Sequence, residues 1–344
     1  MTNYSVKYYG PKDVRIEPYT QIPAIDDGEL LVEVECCAVC GTDLKSYMSG
    51  NSRIKPPMIM GHEFCGTIID LGANTTNYKK GQRITMATTI GCGTCIYCKQ
   101  GKTNLCRSAE AMGFHYHGAM APYIKIPEKA VRQNYLVDVQ NMDARIASLA
   151  EPLSCAINNI TRMPWEERKS FLIIGMGPLG MLHAIVLREL GAENIICVEF
   201  PGKRTEMTEH MGFQAVHPDE IDKRYLELSG SEGFDHVIIT APSNEIQSKA
   251  PLYARKSGYV SYFASLPKGN EILNMNSRTI HYNELVLYGT SDSTVEHVKK
   301  AVDIMSKNPG VFRELITHEM KMEDFHKAID EIKNGNAVKV LLFP

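Results

Sequence analysis

The sequence predicts an α/β protein with two domains, one rich in short β-strands and one built as a doubly wound parallel sheet. The chain has 344 residues, more than one hydrophobic core usually organises. Up to about residue 150, short β-runs are separated by Gly, Pro and Asn, whereas strands and helices alternate after Glu151-Pro152. Because alternating strands and helices are typical of a parallel sheet covered by helices, the second domain is expected to follow Pro152.

The first domain contains several segments with a strand pattern. Residues 30–36 alternate apolar and acidic side chains, and residues 66–71 and 123–126 are similar. A period of two residues indicates strands that bury one face. With turn-forming residues between these runs, the pattern is typical of an all-β barrel.

The second domain is predicted to begin with a buried strand, a tight turn and a helix. The apolar stretch 171–187 has nearly the length of a membrane span, but three glycines, Pro178 and His183 interrupt it. The pattern predicts strands at 171–174, 194–199, 236–240 and 258–263, with helices at 178–190 and 203–211. Further helices are predicted at 294–308 and 323–334, and a last strand at 337–343.

A glycine-rich turn joins the first strand and helix of the second domain. Gly175 permits a tight turn, Gly177 lets a pyrophosphate approach the backbone, and Gly180 lets the helix pack closely on the strand. Glu199 ends the next strand, where a carboxylate can hydrogen-bond an adenosine ribose. The segment therefore predicts dinucleotide binding rather than a simple tight turn. The predicted cofactor-binding residues are Gly175, Gly177, Pro178, Leu179, Gly180, Glu199 and Arg204.

The acidic residue after the second strand also bears on the choice of cofactor. Glu199 should repel the 2′-phosphate of NADP, which favours NAD. Lys203 and Arg204 follow closely and would weaken that repulsion. NAD is therefore the expected cofactor and NADP the alternative.

Four cysteines of the first domain have the spacing C-x2-C-x2-C-x7-C. They are Cys92, Cys95, Cys98 and Cys106. Bacterial ferredoxins end such a run with C-x3-C-P, whereas here seven residues separate the last pair and Arg107 follows. Tetrahedral zinc fits this spacing better than an iron–sulfur cluster or unrelated buried thiols. Because four thiolates fill the coordination sphere of zinc, this site is predicted to be structural.

A sparser set of metal-ligand residue types lies on either side of the cysteine run. Cys40 stands in C-G-T-D, His62 and Glu63 stand in G-H-E-F-C-G, and Glu151 stands where the strand pattern changes. A catalytic metal needs mixed ligands and an open position, which such a set offers. Singly, these are ordinary residues, since an isolated His is more often a satisfied core side chain and an isolated Cys a packing residue.

In combination, these motifs resemble the zinc-dependent medium-chain alcohol dehydrogenase family, within it the sorbitol, polyol and threonine dehydrogenases. The resemblance covers essentially the whole chain and includes E-P-L at 151–153. It implies a GroES-like barrel at 1–152 and 291–344, with a zinc lobe at 91–107, and a Rossmann domain at 153–290. It also implies two zinc ions per chain and pairing into a homodimer or homotetramer through an edge strand at 284–289.

The resemblance assigns roles to residues of the sparse set. Cys40, His62 and Glu63 are implied as ligands of a catalytic zinc, and Glu151 as a ligand that binds directly or through water. Thr42 occupies the position of a hydroxyl that relays the alcohol proton. The predicted catalytic residues are therefore Thr42, Cys40, His62 and Glu63.

Substrate contacts are predicted at positions where the chain departs from its relatives. Several relatives carry a His where this chain has Lys45, so Lys45 or Arg53 is hypothesised to face an anionic group such as a sugar phosphate. A solvated surface charge is the alternative. Phe114 and His115 lie in a segment expected to edge the substrate cleft, or in an ordinary surface loop. Threonine dehydrogenases carry Gly-His-Ile before the cysteine run, where this chain has T-T-I.

The predicted activity is NAD-linked, zinc-dependent oxidation of a secondary alcohol of a polyol, sugar alcohol or its phosphate to a ketone, and the reverse. Zinc can lower the pKa of bound water from 15.7 to roughly 7, and a bound alcohol should respond in the same direction. Alternatives are a simple-alcohol or L-threonine 3-dehydrogenase and, from another class, a non-catalytic binding protein of the same fold.

The composition limits the partners and the compartment. The formal net charge is −3 and the pI is about 6.4, so no basic surface for nucleic acid is expected. A small-molecule alcohol is therefore the expected partner, with neither nucleic acid nor membrane. The first ten residues do not form a secretory signal, and ten cysteines in a reducing compartment favour metal thiolates over disulfides. A cytoplasmic protein is expected.

Overall fold

A computed structural model of the chain describes residues 3–164 and 170–344. Its strands are β1 (Tyr4–Gly10), β2 (Asp13–Pro18), β3 (Leu30–Ala38), β4 (Met58–Ile59), β5 (Glu63–Leu71), β6 (Arg83–Met86), β7 (Thr89–Ile90), β8 (Glu110–Ala111), β9 (Tyr123–Ile126), β10 (Leu136–Asp138), β11 (Ser170–Ile174), β12 (Asn194–Val198), β13 (Gln214–Val216), β14 (Phe234–Ile239), β15 (Ala254–Tyr262), β16 (Val286–Gly289), β17 (Ile316–Lys321) and β18 (Lys339–Phe343).

The α-helices are α1 (Gly41–Ser49), α2 (Ile96–Lys99), α3 (Glu128–Arg132), α4 (Ala144–Ala147), α5 (Ala150–Ile160), α6 (Pro178–Glu189), α7 (Lys203–His210), α8 (Pro218–Ser229), α9 (Asn244–Lys249), α10 (Ser277–Tyr282), α11 (Val295–Lys307), α12 (Pro309–Glu314) and α13 (Phe325–Lys333). Short 3-10 helices span Thr103–Leu105, Ala250–Tyr253 and Met322–Asp324.

The chain divides into two compact units. The first, here called the barrel unit, comprises Met1–Ser154 and Asp292–Pro344, and the second, the sheet unit, comprises Cys155–Ser291. The predicted borders, after residue 152 and before residue 291, lie two residues and one residue earlier than these. Residues 1–2 and 165–169 of the predicted domains lie outside the described residues.

The barrel unit is built mainly from antiparallel strands. Its largest sheet has the order β10-β6-β5-β3-β18-β17, with β9 paired to β3, and a second sheet has the order β2-β1-β4. The predicted strand at 66–71 begins three residues earlier, at Glu63, because β5 pairs with β3 as far as Ala38. The last strand of the chain, β18, pairs antiparallel with β3. The C-terminal tail is thus part of the main sheet of the barrel.

The sheet unit is a parallel sheet with the order β13-β12-β11-β14-β15-β16. This order reverses beside β11, as in doubly wound dinucleotide-binding folds, which bind their ligand where the order reverses. Its core combines apolar side chains of the central strands, such as Leu172, Ile196 and Val237, with those of the covering helices, such as Ile221. The predicted α/β class is confirmed.

Several predicted element ends differ from the observed ones. The helices predicted at 178–190 and 203–211 each end one residue earlier, and the strand predicted from 258 begins at Ala254. That strand contains an irregularity, with Ser257 at φ +57°, and pairing with β14 resumes at Tyr259. The helix predicted from 323 begins at Phe325, because a 3-10 turn precedes it, and the last strand begins at Lys339.

Within residues 3–164 and 170–344, no helix has both the length and the apolar character needed to cross a bilayer.

A buried polar network surrounds His183 on α6. Its Nδ1 lies 2.6 Å from the carbonyl oxygen of Leu179 and therefore donates, which leaves Nε2 to accept from Asn159 Nδ2 at 2.9 Å. The Asn159 side-chain oxygen accepts from the hydroxyls of Ser261 and Thr290. Both ring nitrogens are thus satisfied when the imidazole is neutral.

Because of this network, the stability of the protein should fall as the pH falls. Burial lowers the pKa of His183 from 6.5 to about 4, whereas an unfolded chain binds the proton near pH 6.5. Between these values the unfolded state binds more protons, so acidification costs up to about 3 kcal/mol at ~1.4 kcal/mol per pH unit. We expect His183→Gln to flatten the pH dependence of the denaturant midpoint in this window. The exposed-site control His281→Gln should leave it unchanged, and equal slopes for His183→Gln and the original protein would contradict the assignment.

Candidate active site

Strand pairing in the barrel unit brings three residues of the sparse set together. In the antiparallel pair of β3 and β5, Ala38 lies opposite Glu63, and the chain continues from Ala38 to Cys40. His62 immediately precedes β5. One ligand atom each of Cys40, His62 and Glu63 lies within 4.8 Å of the others. These three residues are called the mixed-ligand cluster below.

The N-terminus of α1 holds Cys40 in place. Cys40 is the N-cap of this helix, its backbone N–H donates to Asp43 Oδ2 at 2.9 Å, and its Sγ accepts from the Thr42 N–H at 3.4 Å. The positive end of the helix and this N–H donor favour the thiolate form of the sulfur. Asp43 also lies behind the cluster, with Oδ1 4.0 Å from Nδ1 of His62.

The charges around the cluster do not balance. Cys40, Asp43, Glu63 and Glu151 carry four negative charges when deprotonated. The cations that face them among the described residues are Lys339, which is 3% exposed, and His62 when it is protonated. Buried charges without compensation are costly. A divalent cation would supply most of the missing positive charge.

The pKa values of the cluster show the same imbalance. Burial, and then the charge of Glu63, raise the pKa of Cys40. Burial lowers the pKa of His62, but the charges of Cys40 and Asp43 outweigh it, so this pKa lies well above 6.5. Burial raises the pKa of Glu151 to about 7, with Glu63 acting in the same direction. Without a metal the cluster retains protons, and a metal ion would displace them.

The donor atoms of the cluster fit a zinc ion. Nδ1 of His62 and both carboxylate oxygens of Glu63 are buried and receive no well-directed hydrogen bond from any described residue, although the Lys339 ammonium lies against Glu63. Buried polar atoms of this kind call for an explanation, and a metal ion is one. One thiolate, one imidazole and one carboxylate leave a tetrahedral zinc with an open position.

Two charged residues of this site, Asp43 and Lys339, were not among the site residues predicted from the sequence. Asp43 directly follows Thr42 in the C-G-T-D motif, and Lys339 lies on β18, which pairs with β3. The predicted last strand reads A-V-K-V-L-L-F, and a lysine amid apolar residues of a strand is a signal that could have identified Lys339 as buried and paired. Its ion pair with Glu63 reduces the negative charge at the cluster.

Glu151 lies close to the cluster but outside its innermost set. It is 8% exposed on α5, and its charge acts on His62 and Lys339. Its carboxylate is not among the ligand atoms that lie within 4.8 Å of one another. Whether Glu151 binds a metal directly or through water therefore stays a prediction.

The four cysteines of the lobe form a second cluster. One Sγ atom of each of Cys92, Cys95, Cys98 and Cys106 lies within 4.8 Å of the others. Backbone N–H groups point at the sulfurs, with Cys92 N donating to Cys106 Sγ at 3.2 Å and Cys95 N to Cys92 Sγ at 3.3 Å. Hydrogen bonds from the side chain and backbone of Thr94 lower the pKa of Cys92 to about 5. This donor set suits a structural zinc with four thiolate ligands.

The glycine turn of the sheet unit leaves space for a dinucleotide. Gly175 has φ +98°, and a Cβ on Gly180 would lie 2.0 Å from the carbonyl oxygen of Gly175, so neither position accepts a side chain. A Cβ on Gly177 would meet only the Arg204 guanidinium, at 3.9 Å. Gly177 caps α6, whose first two residues are Pro178 and Leu179. The open space at this helix N-terminus fits a pyrophosphate.

Glu199 is fixed beside the glycine turn. One carboxylate oxygen accepts from the Met176 N–H at 2.8 Å and the other from the Phe200 N–H at 2.9 Å. It directly follows β12, at the carboxyl end of the sheet, where dinucleotides bind. A carboxylate in this position fits the ribose hydroxyls of a nicotinamide dinucleotide.

The other predicted site residues differ in their relation to the mixed-ligand cluster. Thr42 is half-buried next to Cys40, and its hydroxyl makes no hydrogen bond with a described residue. Phe114 is buried, and its ring lies 5.3 Å from that of His62, between centroids. Lys45 is exposed on α1 without an ion pair to the described part of the chain, and His115 is exposed. The structure thus brings Phe114 to the cluster, whereas Lys45 and His115 stay predictions.

Known dehydrogenases match this chain over nearly its whole length. The alcohol dehydrogenase GroES-like domain family matches residues 26–134, and the glucose dehydrogenase C-terminus family matches residues 144–342. An L-threonine 3-dehydrogenase of Bacillus velezensis is 28% identical, over 94% of this chain and 93% of the relative. A D-arabitol-phosphate dehydrogenase of Enterococcus avium is 25% identical, over 93% and 91%. A zinc-binding dehydrogenase of Sinorhizobium meliloti, crystallised with NADP, is 26% identical with a TM-score of 0.90, over 100% of both chains.

The chain belongs to the zinc-dependent medium-chain alcohol dehydrogenase family. It is an oxidoreductase with a GroES-like barrel and a Rossmann sheet, and its cofactors are zinc and a nicotinamide dinucleotide. The predicted family, fold class and enzyme class are confirmed.

Proposed function

We propose that this enzyme oxidises a secondary alcohol of a polyol, a sugar alcohol or its phosphate to the ketone, with NAD as the acceptor, and catalyses the reverse reaction. The barrel unit would be the catalytic domain and the sheet unit the NAD-binding domain. The observation that carries the proposal is that one ligand atom each of Cys40, His62 and Glu63 lies within 4.8 Å of the others, with Nδ1 of His62 buried and without a hydrogen bond to a described residue. Their ligand types suit a catalytic zinc rather than a closed structural one.

We assign a separate role in the reaction to each residue of this site. Cys40, His62 and Glu63 would hold the zinc, which supplies Lewis-acid polarisation of the substrate oxygen and lowers the pKa of the alcohol. Glu151 would assist directly or through a water. The Lys339 ammonium limits the negative charge that Glu63 presents, so the metal keeps more of its positive charge.

Proton removal is assigned to Thr42. Its hydroxyl is two residues from Cys40 and is not engaged by any described residue, so it is free to accept the alcohol proton and pass it on. A bound nicotinamide dinucleotide would supply the hydride acceptor, and the glycine turn at the N-terminus of α6 would hold its pyrophosphate. The buried Phe114 ring packs against the His62 ring and would help to keep water from that part of the cluster.

NAD is preferred to NADP in this proposal. Both oxygens of Glu199 are held by backbone N–H groups, so the carboxylate is fixed where the 2′-phosphate of NADP would lie. Arg204 lies beside Gly177 and is better placed for the pyrophosphate. The relative crystallised with NADP makes a direct comparison of the two cofactors necessary.

L-threonine is the second candidate substrate. Relatives named L-threonine 3-dehydrogenase match 94% of the chain at 27–29% identity. Against it, this chain has T-T-I where threonine dehydrogenases are expected to carry Gly-His-Ile. L-threonine therefore belongs in any substrate comparison.

A substrate panel tests the proposal. Polyols, sugar alcohols, their phosphates, simple alcohols and L-threonine would each be followed by NADH or NADPH absorbance, before and after removal of zinc with a chelator. We expect turnover of a polyol or polyol phosphate with NAD, lost on chelation and restored by zinc. Turnover of L-threonine alone would favour the second candidate, and no oxidation with either cofactor would refute the proposal.

We further propose that the enzyme is cytoplasmic and pairs through β16, the edge strand of the sheet. The strand spans Val286–Gly289, shorter than the predicted 284–289 because Glu284 has φ +50°, and Val286 is 45% exposed. An unpaired edge strand with an exposed apolar side chain favours pairing with a second copy. A solution mass of one chain, 38.4 kDa, would contradict pairing. None of the ten cysteines, all of which the structure describes, forms a disulfide, as a reducing compartment favours. Subcellular fractionation would test the cytoplasmic location.

A further inference from the structure

The segment between α1 and β4 presents a fixed arginine to the surface. The backbone N–H of Arg53 donates to Asn51 Oδ1 at 3.1 Å, and the N–H of Ile54 donates to the Asn51 carbonyl at 3.1 Å. Ile54 is 7% exposed and anchors the turn in the barrel. The turn thus fixes the backbone from which the exposed Arg53 side chain projects.

The Arg53 guanidinium lies within reach of the mixed-ligand cluster. Its central carbon is 4.5 Å from the centroid of the Phe114 ring, and that centroid is 5.3 Å from the centroid of the His62 ring. Because both groups contact the Phe114 ring, the guanidinium is separated from the His62 ring by at most about 10 Å. Stacking on Phe114 limits the rotamers of the long Arg53 side chain, so the charge is held in one region.

The positive charge of Arg53 is not neutralised by the described protein. Some other arginines of the barrel unit pair with carboxylates, as Arg83 does with Glu35 and Arg145 with Glu319. No carboxylate of residues 3–164 or 170–344 forms an ion pair with Arg53. A guanidinium that is positioned but unpaired offers its forked donors to an anion.

The electrostatic effect of this cation extends along the same surface. Partial burial of the exposed His115 lowers its pKa. The charge of Glu110 acts in the opposite direction, and the charges of Arg53 and Lys55 lower this pKa further. Lys55 is also exposed and has no ion pair in the described chain. Two positive charges, Arg53 and Lys55, thus act on the segment that contains Phe114 and His115.

The separation suits a substrate with its reacting hydroxyl and its charge at different ends. A chain of four to five carbon–carbon bonds of about 1.5 Å, with a terminal group, covers a distance of that order. Guanidinium binds phosphate and carboxylate through two parallel hydrogen bonds, which makes it selective for these groups over a hydroxyl.

We propose that Arg53 is a specificity-determining residue that binds an anionic terminal group of the substrate, a phosphate or a carboxylate, while the hydroxyl at the other end is oxidised at the mixed-ligand cluster. This inference rests on the proposed polyol-type function. The anionic terminal group is the part of the substrate that a neutral sugar alcohol lacks.

Kinetics on matched substrates test the inference. A polyol, its terminal phosphate and the corresponding carboxylate would be compared in the original protein, Arg53→Gln, Arg53→Lys and the control Arg278→Gln. Arg278 is an arginine stacked on Tyr282 at 4.9 Å in the sheet unit. For Arg53→Gln we expect the ratio of kcat/KM for the charged over the neutral substrate to fall about tenfold to hundredfold, mainly through KM. Arg53→Lys should lose less, and Arg278→Gln should match the original protein. Whichever charged substrate is affected identifies phosphate or carboxylate as the recognised group.

A binding measurement separates failure of this inference from failure of the proposed function. Inorganic phosphate would be titrated calorimetrically into the zinc-loaded protein with NAD. We expect phosphate binding that weakens about tenfold to hundredfold in Arg53→Gln and persists in Arg278→Gln. Equal phosphate affinity in all variants, or an unchanged substrate ratio in Arg53→Gln, would overturn the role of Arg53. If no polyol-type substrate turns over, the proposed function fails, and the phosphate titration still decides whether Arg53 is an anion site.

Discussion

Replacement of Cys40 by serine is expected to lower kcat/KM for any alcohol substrate by about a thousandfold or more, with little loss of stability. In the proposed catalytic site the Cys40 thiolate would be a zinc ligand, and losing several kcal/mol of Lewis-acid stabilisation at about 1.4 kcal/mol per tenfold gives a factor of this size. The fold should survive because the cluster has an excess of negative charge, and removing one thiolate relieves repulsion with Glu63.

Zinc content and activity measured on the same samples test this prediction. Cys40→Ser should retain one zinc per chain, in the four-cysteine cluster, and unfold within a few degrees of the original protein. Cys155→Ser is the matched control, because Cys155 is half-buried and belongs to neither cluster. It should keep two zinc ions and full activity. Near-normal turnover by Cys40→Ser with one zinc per chain would show that the chemistry lies elsewhere.

Replacement of Cys95 by serine is expected to have the opposite profile, with a large loss of stability as the primary effect. The lobe at 91–107 has almost no hydrophobic core: Ile96 is 62% exposed and Leu105 40% exposed, while Cys106 is buried at 7%. Its order therefore depends on the metal. Structural zinc contributes about 10–16 kcal/mol in zinc-finger peptides, and several kcal/mol is a reasonable expectation where a folded barrel remains.

Limited proteolysis and thermal unfolding test the second prediction. We expect Cys95→Ser to lose the structural zinc, to unfold at a lower temperature and to be cleaved rapidly after Lys99 and Lys102, both exposed on the lobe. Chelation of the original protein should give the same fragments, and Cys155→Ser should not. If Cys95→Ser keeps its unfolding temperature and its resistance to cleavage, the lobe is held by something other than metal.

The opposite outcomes of these two substitutions follow from how the clusters are built. The four-cysteine cluster comes from one short segment, and four thiolates would fill the coordination sphere of a zinc ion, so such a site would stabilise the lobe without binding a substrate. The mixed-ligand cluster draws on α1 and β5 and keeps a coordination position open. The proposal therefore gives the four-cysteine cluster a role in stability and the mixed-ligand cluster the role in catalysis.

Features set by local spacing were predictable from the sequence. The glycine turn is one, because Gly175 and Gly180 occupy positions where the backbone excludes a Cβ, and no other residue type fits. The cysteine run is another, since thiolates three residues apart on a tight loop meet at one point. The three glycines lie within residues 175–180 and the four cysteines within residues 92–106, so in both cases the groups come from one short segment.

Other features depended on contacts between distant parts of the chain. Lys339 pairs with Glu63 because β18 lies next to β3 in the sheet. Arg53 lies near the cluster because its guanidinium contacts the Phe114 ring, which in turn contacts the His62 ring. No local pattern encodes which strands become neighbours, because pairing depends on the packing of the whole sheet.

The sequence by itself determined the family, the fold class, the two sets of metal-ligand residue types and the dinucleotide turn. Only the tertiary structure decided which charges surround the mixed-ligand cluster, that Glu63 is paired with Lys339, and that Arg53 is held near His62 while Lys45 is solvated. The physical reason is the sequence separation of the interacting groups. Turns and short runs of ligand residues are fixed by the local backbone. Charge compensation and substrate contacts arise between distant segments that meet only after the barrel has folded.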